Sequence, residues 1–209
     1  MSRPAARPSV SRKAALALSI VLAGGAFGGC VRKTFPCAWS VSDREPAFPA
    51  GGAAGKSDAD PYFQSFIGKL PPDRFVGGSW VNSERRLSLA DLRGNVVVLA
   101  FAKVACPMCQ EFVPHLTEWE GKYAAEGLTT IYVDNGRVDS LAALEKCCCE
   151  EGLPCALFHD RLGHMTWAYG VRGFPTVYVI GRDGKVAWEG VGVDVEDEIL
   201  AAIKEALKR

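Results

Sequence analysis

The hydrophobic pattern changes period several times along this chain, and each change marks an element. From Val96 to Ala102 the chain is apolar without a break and rich in β-branched residues, the pattern of a strand covered on both faces. Apolar residues then recur at Cys109, Phe112, Val113, Leu116, Trp119 and Tyr123. That spacing buries one face of a helix over residues 110–125, with Pro114 expected to kink it. Residues 128–134 predict a second strand, 139–150 a helix, and 154–160 a short strand or extended segment leading to a short helix through Trp167 and Tyr169. Residues 176–180 predict another strand, and Arg182-Asp183-Gly184-Lys185 supplies the turn of a hairpin into Val186-Ala187-Trp188. The last helix carries Asp194 and Asp197 as an acidic capping pair and Ile199, Leu200, Ile203 and Leu207 as its buried stripe. Upstream, residues 79–82 read as a short edge strand and 86–94 as a turn with a brief helical turn capped by Ser88. Alternating strands and helices that close on a hairpin and a final helix predict an α/β protein, a three-layer α/β/α sandwich with a central mixed sheet.

Before residue 75 neither period holds. Arg3, Arg7, Arg12 and Lys13 precede a short apolar run, residues 14–23, and small residues follow to Cys30. This is the layout of a secretory signal, and the run is shorter than the roughly 20 residues a membrane-spanning helix needs. Its end, Ala26-Phe27-Gly28-Gly29-Cys30, resembles a bacterial lipobox, with Phe27 where Leu is usual. The resemblance implies lipidation of Cys30 and membrane attachment through acyl chains. Residues 31–74 are rich in Pro and Gly and read as a linker. Within it residues 62–67 are candidates to dock on the folded part, and Cys37 reads as an incidental thiol. The expected organisation is a signal peptide over 1–30, a linker over 31–74 and one domain over 75–209.

Composition narrows the functional classes. With 209 residues and 48% hydrophobic content the chain can bury one full core. Its 24 basic and 24 acidic residues cancel, so there is no electrostatic footing for nucleic acid. Eight cysteines are many for a cytosolic chain and few for a fold built on disulfides, which fits an exported protein that handles thiols.

The chemistry centres on Cys106-Pro107-Met108-Cys109. The pattern delivers Cys106 from a buried strand to the first turn of a helix, where unpaired N–H groups and the helix dipole favour a thiolate. A second group, Cys147-Cys148-Cys149 with Cys155, admits three readings: a structural disulfide from the triplet to Cys155, incidental thiols, or a second redox or metal site. Successive helical residues point about 100° apart, so a bridge requires the chain to reverse through residues 151–154. No zinc-ribbon spacing is present, and no metal site is assigned. His115, His159 and His164 are scattered and read as surface or helix residues; Trp80, Trp119, Trp167 and Trp188 read as core or rim aromatics, and Asp160 as a turn residue.

Strand–CxxC–helix–proline over residues 96–114, together with Gly173-Phe174-Pro175-Thr176 before a later strand, resembles the thioredoxin fold. Residues 86–94 and the insertion after the second strand are similar to the membrane-tethered TlpA and ResA subgroup of thiol-disulfide oxidoreductases. The resemblance spans about residues 75–209. It implies that Cys106 attacks, that Cys109 resolves, and that Pro175 is a cis-proline beside the pair. Phe174 would offer its backbone to an extended substrate, with Pro107 and Met108 setting the surroundings of the sulfurs. It implies no cofactor beyond the redox-active disulfide, protein thiols or disulfides as substrates, a membrane electron-transfer partner, a lipid-anchored place on the periplasmic side of a bacterial envelope, and a role such as cytochrome c maturation. Three departures stand out. Ala105 replaces the Trp common before the first cysteine, Ala100 replaces the buried acid of thioredoxins, and Phe112 replaces a glutamate of the ResA group, with Glu111 one position earlier reading as a surface residue. The proton acceptor is left unassigned, with Lys103, Glu111 and water as candidates. Two other classes remain: a peroxiredoxin-like thiol peroxidase, which needs Pro and Thr or Ser where Val98 and Ala102 stand, and a non-enzymatic metal-binding or assembly lipoprotein.

Overall fold

The computed structural model describes residues 41–42, 65–153 and 155–209; the signal-like segment, Cys30, Cys37 and most of the linker lie outside them. Seven strands form one sheet: β1 (Val41–Ser42), β2 (Ser79–Val81), β3 (Val96–Ala102), β4 (Leu128–Asp134), β5 (Ala156–His159), β6 (Thr176–Ile180) and β7 (Val186–Val191). Their spatial order is β1-β2-β5-β4-β3-β6-β7. The central strands β3, β4 and β5 are parallel and the flanking ones antiparallel, which is the mixed sheet the pattern predicts. Among the described residues four α-helices flank the sheet: α1 (Pro107–Tyr123), α2 (Leu141–Glu151), α3 (His164–Ala168) and α4 (Glu196–Leu207).

Strand β3 shows why the apolar run is unbroken. Val96, Val98, Ala100 and Ala102 face a core shared with α1, α2 and α4. Val97, Leu99 and Phe101 face the opposite core, as the two-residue period of a strand requires. That second face is covered by α3 and by non-helical chain that contributes Phe66, Phe75, Leu89 and Leu92. Phe66 is buried, and the neighbouring Gly68 N–H donates to the Val186 carbonyl at 2.8 Å. So the docking expected of residues 62–67 is seen at Phe66, residues 62–64 lying outside the described chain.

Helix ends depart from the pattern for local reasons. α1 starts at Pro107, earlier than residue 110, because Cys106 is its N-cap and a proline at the first helical position surrenders no hydrogen bond. It runs on through Pro114. α2 starts after Ser140, whose Oγ accepts the Ala143 N–H at 3.2 Å, and ends on Gly152 in the left-handed conformation at φ 63°. The Asp194 and Asp197 capping pair does not form: Val195 is the N-cap, without a side-chain bond. Glu196, Asp197 and Glu198 instead place negative charge in the first turn, where the helix dipole favours it.

The bridge from the triplet to Cys155, one of the three readings of these cysteines, is not made. Cys147, Cys148 and Cys155 are free thiols. The 100° step of the helix turns Cys148 into the core beside Cys155 while Cys149 faces outward. Cys149 is disulfide-bonded. Among the described residues no helix is long and apolar enough to cross a membrane.

Candidate active site

Strand β3 ends at Ala102, and the chain turns through Lys103 to Cys106, the Cys106 N–H donating to the Lys103 carbonyl at 3.3 Å. The next turn is helical, so the two sulfurs of the CxxC differ sharply in surroundings. Cys106, at the helix N-terminus, is half-buried, with its thiol 3.9 Å from the Phe174 carbonyl. Cys109, one turn on, is 1% exposed. Burial first, then the hydrogen bond with Cys106, push the Cys109 thiol up to about 12, while Lys103 pulls the other way. Both cysteines are free, so the pair is in its dithiol form.

The peptide bond between Phe174 and Pro175 is cis. Proline has no N–H to offer, and here the Phe174 carbonyl stands against Cys106. Thr176 closes the turn, its hydroxyl donating to the Gly173 carbonyl at 2.8 Å. Lys103 Nζ lies 4.4 Å from the centre of the Phe174 ring. Around the sulfurs Ala105 and Pro107 are exposed, and Met108 is 49% exposed. The structure thus gathers Cys106, Cys109, Pro107, Met108, Phe174 and Pro175 in one place. Cys147, Cys148, Cys149 and Cys155 lie on α2 and at the start of β5, and Cys30 falls outside the described residues.

The positions that depart from the thioredoxin pattern have clear consequences. Ala100 is fully buried on the face that holds Cys109, so a methyl group stands in the place of an acid. Glu111 is exposed on α1 and so reads as a surface residue here too. Trp167 is 85% exposed, contrary to its reading as a core or rim aromatic.

Sequence reasoning missed four polar residues behind the loop. Val104 donates its N–H to Asp139 Oδ2 at 2.8 Å, and its carbonyl accepts from Gln110 Nε2 at 2.9 Å. Asp134, the last residue of β4, is fully buried, and His159, which was read as a surface or helix histidine, is 4% exposed with its Nδ1 2.9 Å from Asp134 Oδ2. The signal in the sequence was an acid at the end of a strand that carries no other charged residue.

A thioredoxin-type sheet, a CxxC at the junction of β3 and α1, and a cis-proline opposite it define a thioredoxin-like thiol-disulfide oxidoreductase. Residues 74–189 match the model of the AhpC/TSA family, and the chain belongs to that family. It is 30% identical over 133 residues to the thiol-disulfide oxidoreductase ResA of Geobacillus thermodenitrificans, covering 64% of this chain and 74% of the relative. It is 27% identical over 121 residues to ResA of Bacillus thuringiensis, covering 58% and 69% respectively. Among solved structures it is similar to one described as a DsbE thiol:disulfide interchange protein from Chlorobium tepidum. That match has 28% identity and a TM-score of 0.53, over 58% of this chain and 86% of the other.

Proposed function

We propose that the chain is an exported, membrane-tethered enzyme that exchanges protein disulfides through Cys106 and Cys109. The observation that carries this reading is the pairing of a half-exposed sulfur at a helix N-terminus with a buried partner one turn on. Cys106, as thiolate, attacks one sulfur of a substrate disulfide. A mixed disulfide forms and the other substrate sulfur leaves as thiolate. Cys109 then loses its proton and attacks Cys106 Sγ, which closes the intramolecular disulfide and releases the second substrate thiol. Two electrons pass from the pair to the substrate, and the reverse sequence oxidises a dithiol by the same steps. The potential of the pair against its partner sets the direction. Met108 and Phe174, flanking Cys106, are the apolar surface an extended substrate chain would lie on.

Tethering rests on the layout of residues 1–30 and on Cys30, an envelope location follows from it, and a membrane electron-transfer partner is what the resemblance to the TlpA and ResA subgroup brings. Disulfides of apocytochrome c are the substrate class that the resemblance to the TlpA and ResA subgroup brings. Val98 and Ala102 are buried apolar residues, so β3 supplies neither the proline nor the hydroxyl that a peroxidase site needs.

The test is turnover of a protein disulfide such as insulin by the reduced full-length chain. Cys106→Ser should lower the rate at least about 100-fold, the scale of losing a nucleophile, and Cys109→Ser should accumulate the mixed disulfide on Cys106. Undiminished exchange by Cys106→Ser would remove the reading.

A further inference from the structure

The acid missing from β3 has a counterpart on the next strand. In the parallel pairing of the sheet Asp134 lies opposite Ala102 on one side and His159 on the other. Tyr132 and Leu157, two residues before Asp134 and His159, belong to the core beneath α1 and α2. By strand alternation Asp134 and His159 therefore face the side of the sheet that carries Cys109. One carboxylate oxygen of Asp134 meets His159 Nδ1. The other, Oδ1, is buried and has no hydrogen-bond partner among the described residues. Such an orphan costs stability unless a neighbour answers it. The neighbour is Asp139, two residues before the start of α2, whose side chain lies beside the Asp134 carboxyl and whose carboxylate holds the Val104 N–H two residues ahead of Cys106.

We propose that Asp139, backed by the buried Asp134 carboxyl, is a positioning residue for Cys106, and that the two carboxyls hold one proton between them. The proton sits on Asp134, while Asp139 accepts from Val104. The Val104 peptide is then fixed at both ends, by Asp139 on its N–H and by Gln110 on its carbonyl. That fixes the turn from which Cys106 enters α1. Close packing keeps the pair together. A Cβ on Gly136 would come within 2.7 Å of both the Arg161 Cα and the His159 ring, so the loop between Asp134 and Asp139 lies tightly on the end of β5.

The groups facing the pair are His159 from β5, Tyr132 from β4 and Cys147 from α2. Burial first, then the charges of Asp134 and Cys109, raise the Tyr132 pKa. Asp160, next to His159, is engaged elsewhere: its carboxylate accepts from Thr166 and Met165. Burial raises Asp134 to about 6, with the His159 bond opposing and Asp139 adding to the rise. Below that pH the shared proton is present. Above it two carboxylates face each other, and the hold on Val104 changes.

This inference rests on Cys106 being the reactive thiol, so the readout is the rate of Cys106 alkylation by iodoacetamide in the full chain, followed by peptide mass spectrometry from about pH 5 to 9. It requires no substrate and separates this idea from disulfide exchange itself. The wild-type profile should carry an inflection near pH 6 besides that of the thiol. Asp134→Asn should remove the inflection. Asp139→Ala should change the alkylation rate about tenfold, the scale of one hydrogen bond to a charged group. Asp139→Asn, which still accepts from Val104, should restore the rate without the inflection and covers the case in which the alanine variant fails to fold. An inflection that survives in both Asn variants, or an Asp139→Asn rate no closer to wild type than that of a folded Asp139→Ala, would overturn the proposal.

Discussion

The two sulfurs of the CxxC sit one helical turn apart, yet their surroundings differ enough to divide the chemistry. Cys109 is enclosed by the core and raised to about 12, first by burial and then by Cys106. It is a thiol near neutral pH and becomes a nucleophile only when a mixed disulfide has formed beside it. Treating the folded reduced chain with iodoacetamide near pH 8 should therefore label Cys106 and leave Cys109 at least about tenfold less modified. Mass spectrometry of the two peptides reads the ratio, and equal labelling would contradict the buried, protonated thiol. The spacing of the cysteines and the proline of Gly-x-Pro-Thr were legible because they are local. Asp134, Asp139 and His159 were not. A carboxylate at a strand end gains meaning only when β3, β4 and β5 lie side by side and bring residues 102, 134 and 159 into register.

Among elements, α1 shows how a helix that presents a reactive residue is held at its far end. Its inner face, Cys109, Phe112, Val113, Leu116, Trp119 and Tyr123, is buried as the period predicts. Glu120 Oε2 adds a polar tie, accepting the Thr130 N–H at 2.7 Å and its hydroxyl at 2.6 Å. Burial raises the Glu120 pKa, and the two Thr130 bonds oppose the rise. Thr130 is buried in β4, so Glu120→Ala leaves its N–H without a partner. Urea unfolding should show a loss of about 1–3 kcal/mol, with a smaller loss for Glu120→Gln. The pH dependence has a definite sign. A carboxyl whose pKa is raised in the folded chain binds its proton more tightly than in the unfolded chain, so its contribution to stability is full at low pH and is lost as pH rises through the folded value. The tie was invisible in the sequence because Glu120 and Thr130 are both ordinary surface-type residues. Only the return of the chain from α1 into β4 makes them neighbours. The absent Asp194 and Asp197 cap is the converse case: acidic spacing resembled a cap, but the backbone put Val195 at the N-cap.

At the scale of the whole molecule the cysteines test the tether. Cys149 is disulfide-bonded, and Cys106, Cys109, Cys147, Cys148 and Cys155 are free. Of the eight cysteines in the chain, that leaves Cys30 and Cys37 as candidates for its partner. A lipidated Cys30 has its sulfur occupied, so the membrane-anchored reading selects Cys37. On the exported reading, oxidation of the two thiols passes two electrons to the disulfide of an exchange partner. A non-reducing peptide map of the chain made in a bacterial host should then show Cys37 joined to Cys149 and acyl mass on Cys30. Because the bond closes a loop of roughly a hundred residues, its loss in Cys149→Ser should lower stability by about 2–5 kcal/mol. A map that joins Cys30 to Cys149 would remove the lipid anchor while leaving the chemistry of Cys106 and Cys109 untouched.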